Sequence, residues 1–324
     1  MMRSLRLLTL LLIVTLLCLG CVEERSDGHG YQPPQSSDDD QGDDDLADDD
    51  DLVDDDDAVG PDAIPNAPYQ CIPLYPDLRI VAHRGDTEYA PENTLPALEH
   101  AYQIGVIAAE IDLRHTADGY YVLMHDDDVD RTTNGSGRVD QMTLEQIRQL
   151  EVDDLFYGGR FPGLRVPTFE EALDLAQQYD KEIYIDTKTD QVQDAAQIVV
   201  DRNMQDMVFF YASSADKLAR IRAVDSGLRI QPLSDGVART LELIELFEPD
   251  PELFELTERS ASIENIELIH SYGSLAHMDL LGVRDVLFVL GLEDAWLQPL
   301  QWGLDQVQTD HAAQLIEFNE SLCQ

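Results

Sequence analysis

Three stretches decide how this chain folds: Leu78-Arg-Ile-Val-Ala-His-Arg-Gly85, Val106-Ile-Ala-Ala-Glu-Ile-Asp-Leu113 and Tyr120-Tyr-Val-Leu-Met-His-Asp126. Each is a short apolar run that ends in, or alternates with, ionisable residues, the pattern of a buried strand delivering polar side chains at its C-terminal end. Between the first two, Leu95 to Ile104 has helical spacing. Successive strand ends with polar residues, joined by helices, are how a β/α barrel builds an active site on one rim.

The residues at those ends have complementary chemistry. His83 and His125 can act as general acid and base, and Arg84 can grip a phosphate. Glu110 and Asp112 are two apart, so in a strand they share a face and can point at one hard cation. Together these parts point to metal-assisted cleavage of a phosphodiester. Blander readings exist: His-Arg-Gly alone is usually a loop, and Glu110 with Asp112 could be a solvated strand face. Glu92 and Asn93 could open the helix as turn and cap residues as readily as serve the site. Asp126, Asp130 and Arg131 read as supporting loop contacts, and Asn134-Gly135-Ser136-Gly137 as a turn.

The ordered set His83-Arg84-Gly85, Pro91-Glu92-Asn93-Thr94, Glu110-x-Asp112, Thr116-x-Asp118-Gly119, His125-Asp126 and Asp130-Arg131-Thr132-Thr133 resembles the glycerophosphodiester phosphodiesterases. Pro167-Thr168-Phe169 and Gly303 to Asp310 resemble later phrases of that family, so the likeness runs from about residue 78 to about 320. It implies a (β/α)8 TIM-type barrel and metal-dependent hydrolysis of glycerophosphodiesters to glycerol 3-phosphate and an alcohol. By position, His83 and His125 match the acid/base pair, Arg84 the phosphate-binding arginine, and Glu110 and Asp112 two ligands of a divalent cation, Ca2+ or Mg2+. Glu92 is assigned with them to substrate binding.

Two departures follow from the same resemblance. Asp186, in Ile185-Asp186-Thr187-Lys188, stands where the family carries a third glutamate ligand and is one methylene shorter. Lys188 either contacts phosphate or balances the carboxylates. Sphingomyelinase D-like barrels also use an aspartate there, so a phospholipase D-like activity is the alternative enzyme reading. The long segment after His125, which those enzymes lack, favours the diesterase. A non-catalytic surface-binding lipoprotein is the alternative from another class. The seventh strand, read as Val286 to Leu290, lacks the family's Trp-Thr-Val-Asn and implies a different substrate-side wall.

The rest of the chain continues the alternation. Helices are expected at Phe169 to Tyr179, Gln191 to Asn203, Ala215 to Val224, Arg239 to Phe247, Ser262 to Leu281, Glu293 to Trp302 and Ala312 to Leu322. Strands are expected at Ile183 to Lys188, Met207 to Tyr211, Leu228 to Pro232 and Glu252 to Thr257. The 247 residues from Leu78 onward suit one barrel with an insertion of about forty residues after His125.

Residues 1–20 read as an export signal, with Arg3 and Arg6 before the apolar run from Leu7 to Gly20, too short to span a bilayer. Cys18-Leu19-Gly20-Cys21 resembles a lipoprotein box, which implies a lipid on Cys21 and attachment to a bacterial membrane in the cell envelope. Residues 21–70 read as an Asp-rich tether with fourteen aspartates between Asp38 and Asp57, self-repelling and coreless. Removing those charges from the formal −44 leaves −30, so the domain at 71–324 is itself acidic and a nucleic-acid partner is disfavoured. Closed barrels bring their ends together, so a disulfide between Cys71 and Cys323 is expected in an oxidising compartment.

Overall fold

The computed structural model describes residues 77–322. The signal, Cys21, the Asp-rich tether and the Cys71–Cys323 pair lie outside the described residues. Eight parallel strands close on themselves: β1 (Arg79–Ala82), β2 (Ala108–His115), β4 (Glu182–Thr187), β5 (Val208–Ala212), β6 (Arg229–Ser234), β7 (Leu253–Leu256), β8 (Leu275–Asp279) and β9 (Gln306–Thr309). Closure comes from β1, which pairs in parallel with both β2 and β9. The expected barrel is therefore the fold.

Helices α1 (Leu95–Ile104), α3 (Phe169–Tyr179), α4 (Val192–Asp201), α5 (Ala215–Arg222), α6 (Val237–Leu246), α7 (Ile263–Ser271) and α10 (Ala312–Ser321) alternate with the strands. The two-residue strand period sorts side chains cleanly. Ile80, Ala82, Ala109, Ile111, Leu113, Ile183 and Ile185 belong to the large apolar core between strands and helices. Val81, Ala108, Tyr184, Phe209 and Leu253 form a separate interior cluster. Glu110, Asp112 and Asp186 have the interior parity, because their neighbours Ile111, Leu113 and Ile185 have the exterior one. Toward the strands' N-terminal ends, Glu182 pairs with Arg79 and, at 3.1 Å, with Arg229, whose guanidinium lies 3.5 Å over the Phe209 ring.

Three expectations need correction. The Tyr120 to Met124 run is not a barrel strand: β3 (Tyr121–Leu123) returns antiparallel along β2, Leu113 facing Leu123. Thr116-x-Asp118-Gly119 makes the reversal, the Thr116 hydroxyl donating to Asp118 at 2.7 Å. His125 thus reaches the rim by doubling back. The long segment that follows contains only short helical pieces, among them α2 (Leu144–Ile147), and packs its own core of Val129, Val139, Ile147, Val152 and Val166.

The helix expected from Ser262 to Leu281 stops at Ser271, and Leu275–Asp279 is the seventh barrel strand. Val286 to Leu290 is not that strand but lies largely in α8 (Val283–Val289), followed by α9 (Asp294–Gln301). A five-residue apolar run does not distinguish strand from helix. Here Phe288 stacks on Trp296 of α9, ring centroids 3.4 Å apart, and that packing stabilises the helix. The missing Trp-Thr-Val-Asn belongs to a comparison made with the wrong segment.

One glycine has no substitute. Gly85, φ +84°, lies so close to α1 that a Cβ would fall 2.7 Å from the Ala97 carbonyl carbon. Gly105, φ +104°, ends α1 with nothing within 4 Å of a Cβ. Gly85→Ala should cost about 2 kcal/mol or more, lowering the melting temperature by roughly 4–8 °C, from strain plus a backbone clash. Gly105→Ala should cost roughly half that. Equal shifts in thermal denaturation would show that the close approach is unimportant.

Candidate active site

Two adjacent strands, β2 with Glu110 and Asp112 and β4 with Asp186, bring one carboxylate oxygen of each residue within 4.8 Å of one another. Glu110 and Asp112 are almost wholly buried, at 2% and 1% exposure. The shorter Asp186 still reaches the group, because it sits directly beside Asp112 in the β2–β4 register.

Two buried carboxylates and a third that is a quarter exposed repel and lose hydration, so their surroundings must compensate. Burial, with Asp112 and Asp186 adding to it, pushes Glu110 up to about 8. Asp112 is held below its ordinary value against its burial, by Arg84 and Lys188. Burial raises Asp186, and the Lys188 ammonium opposes that. Lys188, just past the end of β4, lies 2.7 Å from Asp186 and 3.4 Å from Asp112. Arg84 Nε lies 3.1 Å from Asp112 and its Nη1 donates to Glu92 at 3.0 Å. The donor set is all hard oxygen, and Glu110 holds its proton more tightly than a free carboxylate does. These residues fit a divalent metal of the Ca2+ or Mg2+ type, whose binding would release the proton.

The backbone before α1 is shaped around the trio. Arg84 and Asn93 both adopt left-handed conformations, φ +56° and +55°. Non-glycine residues hold that region at a cost, and such strain gathers at functional sites. It turns the Arg84 N–H onto Glu110 at 2.8 Å. Asn93 clamps Asp112 twice, its Nδ2 donating to the carboxylate at 2.8 Å and its Oδ1 accepting the Asp112 N–H at 3.0 Å. Thr94 occupies the cap position of α1, but its hydroxyl donates to the Pro91 carbonyl at 2.6 Å. The Pro-Glu-Asn-Thr phrase therefore serves the site more than the helix.

Both histidines are backed by carboxylates at Nδ1: His83 by Asp310 at 2.7 Å and His125 by Asp126 at 2.7 Å. Burial alone would lower His83, but Asp310 and Glu110 outweigh it and raise it to about 9. Asp126 is held at about 2 by Arg131 and by His125. Arg131 joins the two halves, donating to Asp126 at 2.6 Å and to Glu92 at 2.7 and 2.8 Å. Glu92, expected at the substrate, braces Arg84 and Arg131 together. His83 lies within electrostatic reach of Glu110, and His125 within reach of Asp112 and Asp186.

Sequence reasoning missed Asp310 as a partner of His83, although it lies in the quoted Gly303 to Asp310 phrase. It also missed Asp285 on α8, which accepts from Trp296 Nε1, the Thr309 hydroxyl and the Asp310 N–H at 2.8, 2.8 and 2.9 Å. Asp285 immediately precedes the apolar run taken for a strand, and no local signal links it to the site. Glu255, His277 and Asp279 form a second group inside the barrel, likewise unforeseen.

The glycerophosphoryl diester phosphodiesterase family model matches residues 83–314, which includes every residue of this site. The chain belongs to that family. A glycerophosphodiester phosphodiesterase from Caldanaerobacter subterraneus subsp. tengcongensis is 41% identical over 110 residues, 34% of this chain and 45% of the relative. One from Bacillus subtilis is 27% identical over 261 residues, 74% of this chain and 85% of that one. The first relatives are thus matched over less than half of their length. Among solved structures, an Oleispira antarctica phosphodiesterase in complex with the product sn-glycerol-3-phosphate superposes with a TM-score of 0.63 at 25% identity. That match covers 75% of this chain and 96% of the other.

Glu255 gives the interior a pH signature. Burial, reinforced by Asp279, raises it well above 4.5, so the fold holds its proton more tightly than the unfolded chain does. The associated stability is fully present below about pH 4.5 and is lost as pH rises toward the folded value. Glu255→Gln should match the wild type near pH 4 and gain on it by roughly 1 kcal/mol per pH unit above 5, read from denaturant midpoints. A constant difference across pH would mean that Glu255 is ionised in the fold.

Proposed function

We propose that this chain hydrolyses glycerophosphodiesters to glycerol 3-phosphate and an alcohol. The observation that carries the reading is the placement of two histidine–carboxylate pairs about one carboxylate trio, with Arg84 and Lys188 alongside. Glu110, Asp112 and Asp186 would hold a divalent cation, which when bound draws charge from phosphate oxygens. Arg84, braced by Asp112 and Glu92, and Lys188 orient the phosphate with fixed positive charge.

Proton traffic falls to the histidines. With Nδ1 facing a carboxylate, each ring presents Nε2 to the substrate. One Nε2 takes the proton of the attacking hydroxyl as the new P–O bond forms; attack by water gives glycerol 3-phosphate directly, whereas attack by the substrate's own glycerol gives a cyclic phosphate that a water then opens to glycerol 3-phosphate. The other delivers a proton to the leaving alcohol oxygen as its P–O bond breaks. Asp310 and Asp126 stabilise whichever ring is transiently charged.

Purified protein should release glycerol 3-phosphate from glycerophosphoethanolamine or glycerophosphocholine only with divalent cation present. Absence of release with Ca2+, Mg2+, Mn2+ and Zn2+ across several headgroups would refute the assignment. Lysophosphatidylcholine in the same panel tests the phospholipase D-like alternative. His83→Ala and His125→Ala should each lower turnover at least about a hundredfold with little change in melting temperature. Rates near wild type in either variant would place the chemistry elsewhere.

A further inference from the structure

Across the barrel mouth from the carboxylate trio, β7, β8 and β9 carry a second polar group whose hydrogen bonds leave the Gln308 carbonyl oxygen unfilled. A relay inside the barrel sets its protonation. Arg79 Nε donates to Gln306 Oε1 at 3.0 Å, which turns the Gln306 amide N–H toward His277 Nδ1, also at 3.0 Å. His277 Nδ1 is therefore an acceptor, and its proton sits on Nε2. That N–H meets Asp279 at 3.2 Å and Glu255 at 3.3 Å. A metal on Nε2 would require the proton at Nδ1, against the Gln306 donor, so this tautomer disfavours a metal ligand role.

Donors are short at the solvent end of the group, at Asp279 and Gln308. Glu255 is already served, accepting from Gln231 Nε2 at 2.7 Å and from the Tyr184 hydroxyl at 3.4 Å. Gln231 Oε1 and Gln308 Oε1 are buried without a hydrogen-bond partner, in side chains 0% and 4% exposed. Gln308 pairs in register with Asp279 on the adjacent strand, so both side chains share the interior parity. Asp279 is the part that meets solvent, its side chain 41% exposed. Among the described residues no lysine or arginine forms an ion pair with Glu255 or Asp279, whereas the first trio has Arg84 and Lys188. A carboxylate and an orphaned carbonyl oxygen side by side want a cation that carries several N–H donors.

We propose that Asp279 and Gln308 bind the ammonium of a primary-amine alcohol group, of the ethanolamine type, on the glycerophosphodiester substrate. The inference rests on the diesterase reading and adds the chemical class of its alcohol. A quaternary ammonium offers charge without N–H donors, and a glycerol headgroup offers donors without charge, so both fit less well.

The test compares kcat/KM for glycerophosphoethanolamine and glycerophosphoglycerol in wild type, Asp279→Asn and Gln308→Met, with the activating cation present. The wild type should prefer the amine substrate. That preference should fall about tenfold or more in Asp279→Asn, the scale of a lost charge-assisted hydrogen bond, and by less in Gln308→Met. No preference in the wild type, or equal loss for both substrates, would overturn the proposal. So would a bound-metal count falling from two to one in Asp279→Asn, which would make this a second cation site. If neither diester is cleaved, the diesterase reading itself fails. Calorimetric titration with glycerophosphoethanolamine then decides: binding weakened by Asp279→Asn sustains the amine site, and absent or unchanged binding ends it.

Discussion

Everything around this site answers to one electrostatic constraint: three carboxylates meet where two of them are buried and the third is only a quarter exposed. Glu110, Asp112 and Asp186 cannot all ionise there without compensation. Arg84 and Lys188 supply fixed positive charge, and Asn93 and the Arg84 N–H supply directed donors. The left-handed turn at Arg84 and Asn93 exists to aim those donors, and Gly85 is its sterically necessary companion. A cation completes the balance, and the raised Glu110 marks the place it would take.

The histidines are tied to the same framework from opposite directions. His83 rides on β1 and is braced by Asp310 at the end of β9, the strand that closes the barrel against β1. Asp285 on α8 pins that strand end in turn. His125 comes from the doubled-back β3 and is braced by Asp126, which Arg131 links to Glu92 and so to Arg84. The ion-pair chain connects the excursion after β3 to the turn after β1. Motion of that excursion would therefore be felt at both the phosphate-binding arginine and the histidine.

The interior is polar through much of its depth, which is unusual for a barrel filled mostly by aliphatic layers. Glu182 between Arg79 and Arg229 occupies the N-terminal side, and the relay from Arg79 through Gln306 reaches His277 near the mouth. Each link fixes the donor or acceptor sense of the next. The relay ends on Glu255 and Asp279, the latter paired in register with Gln308, whose carbonyl oxygen has no hydrogen-bond partner.

Local sequence was enough for the elements whose signals are local. Leu95–Ile104 and Phe169–Tyr179 are helices with the bounds that their spacing indicated, and the strands carrying His83, Glu110, Asp112 and Asp186 were legible from two-residue alternation. The candidate trio was readable because parity along one strand already puts Glu110 and Asp112 on one face. Leu275–Asp279 was hidden, since the buried His277 breaks the apolar pattern and is tolerated only through partners on other strands. Val283–Val289 was ambiguous, a short apolar run made helical by Trp296. The sequence by itself thus determined the barrel and the side chains at the ends of its first strands, through periodicity and residue type. Only the tertiary structure decided that β3 runs backwards, that Asp310 backs His83, and that Asp279 lies beside Gln308. Those pairings join residues distant in the chain, and what selects them is the cost of leaving buried charge and hydrogen-bonding groups without partners.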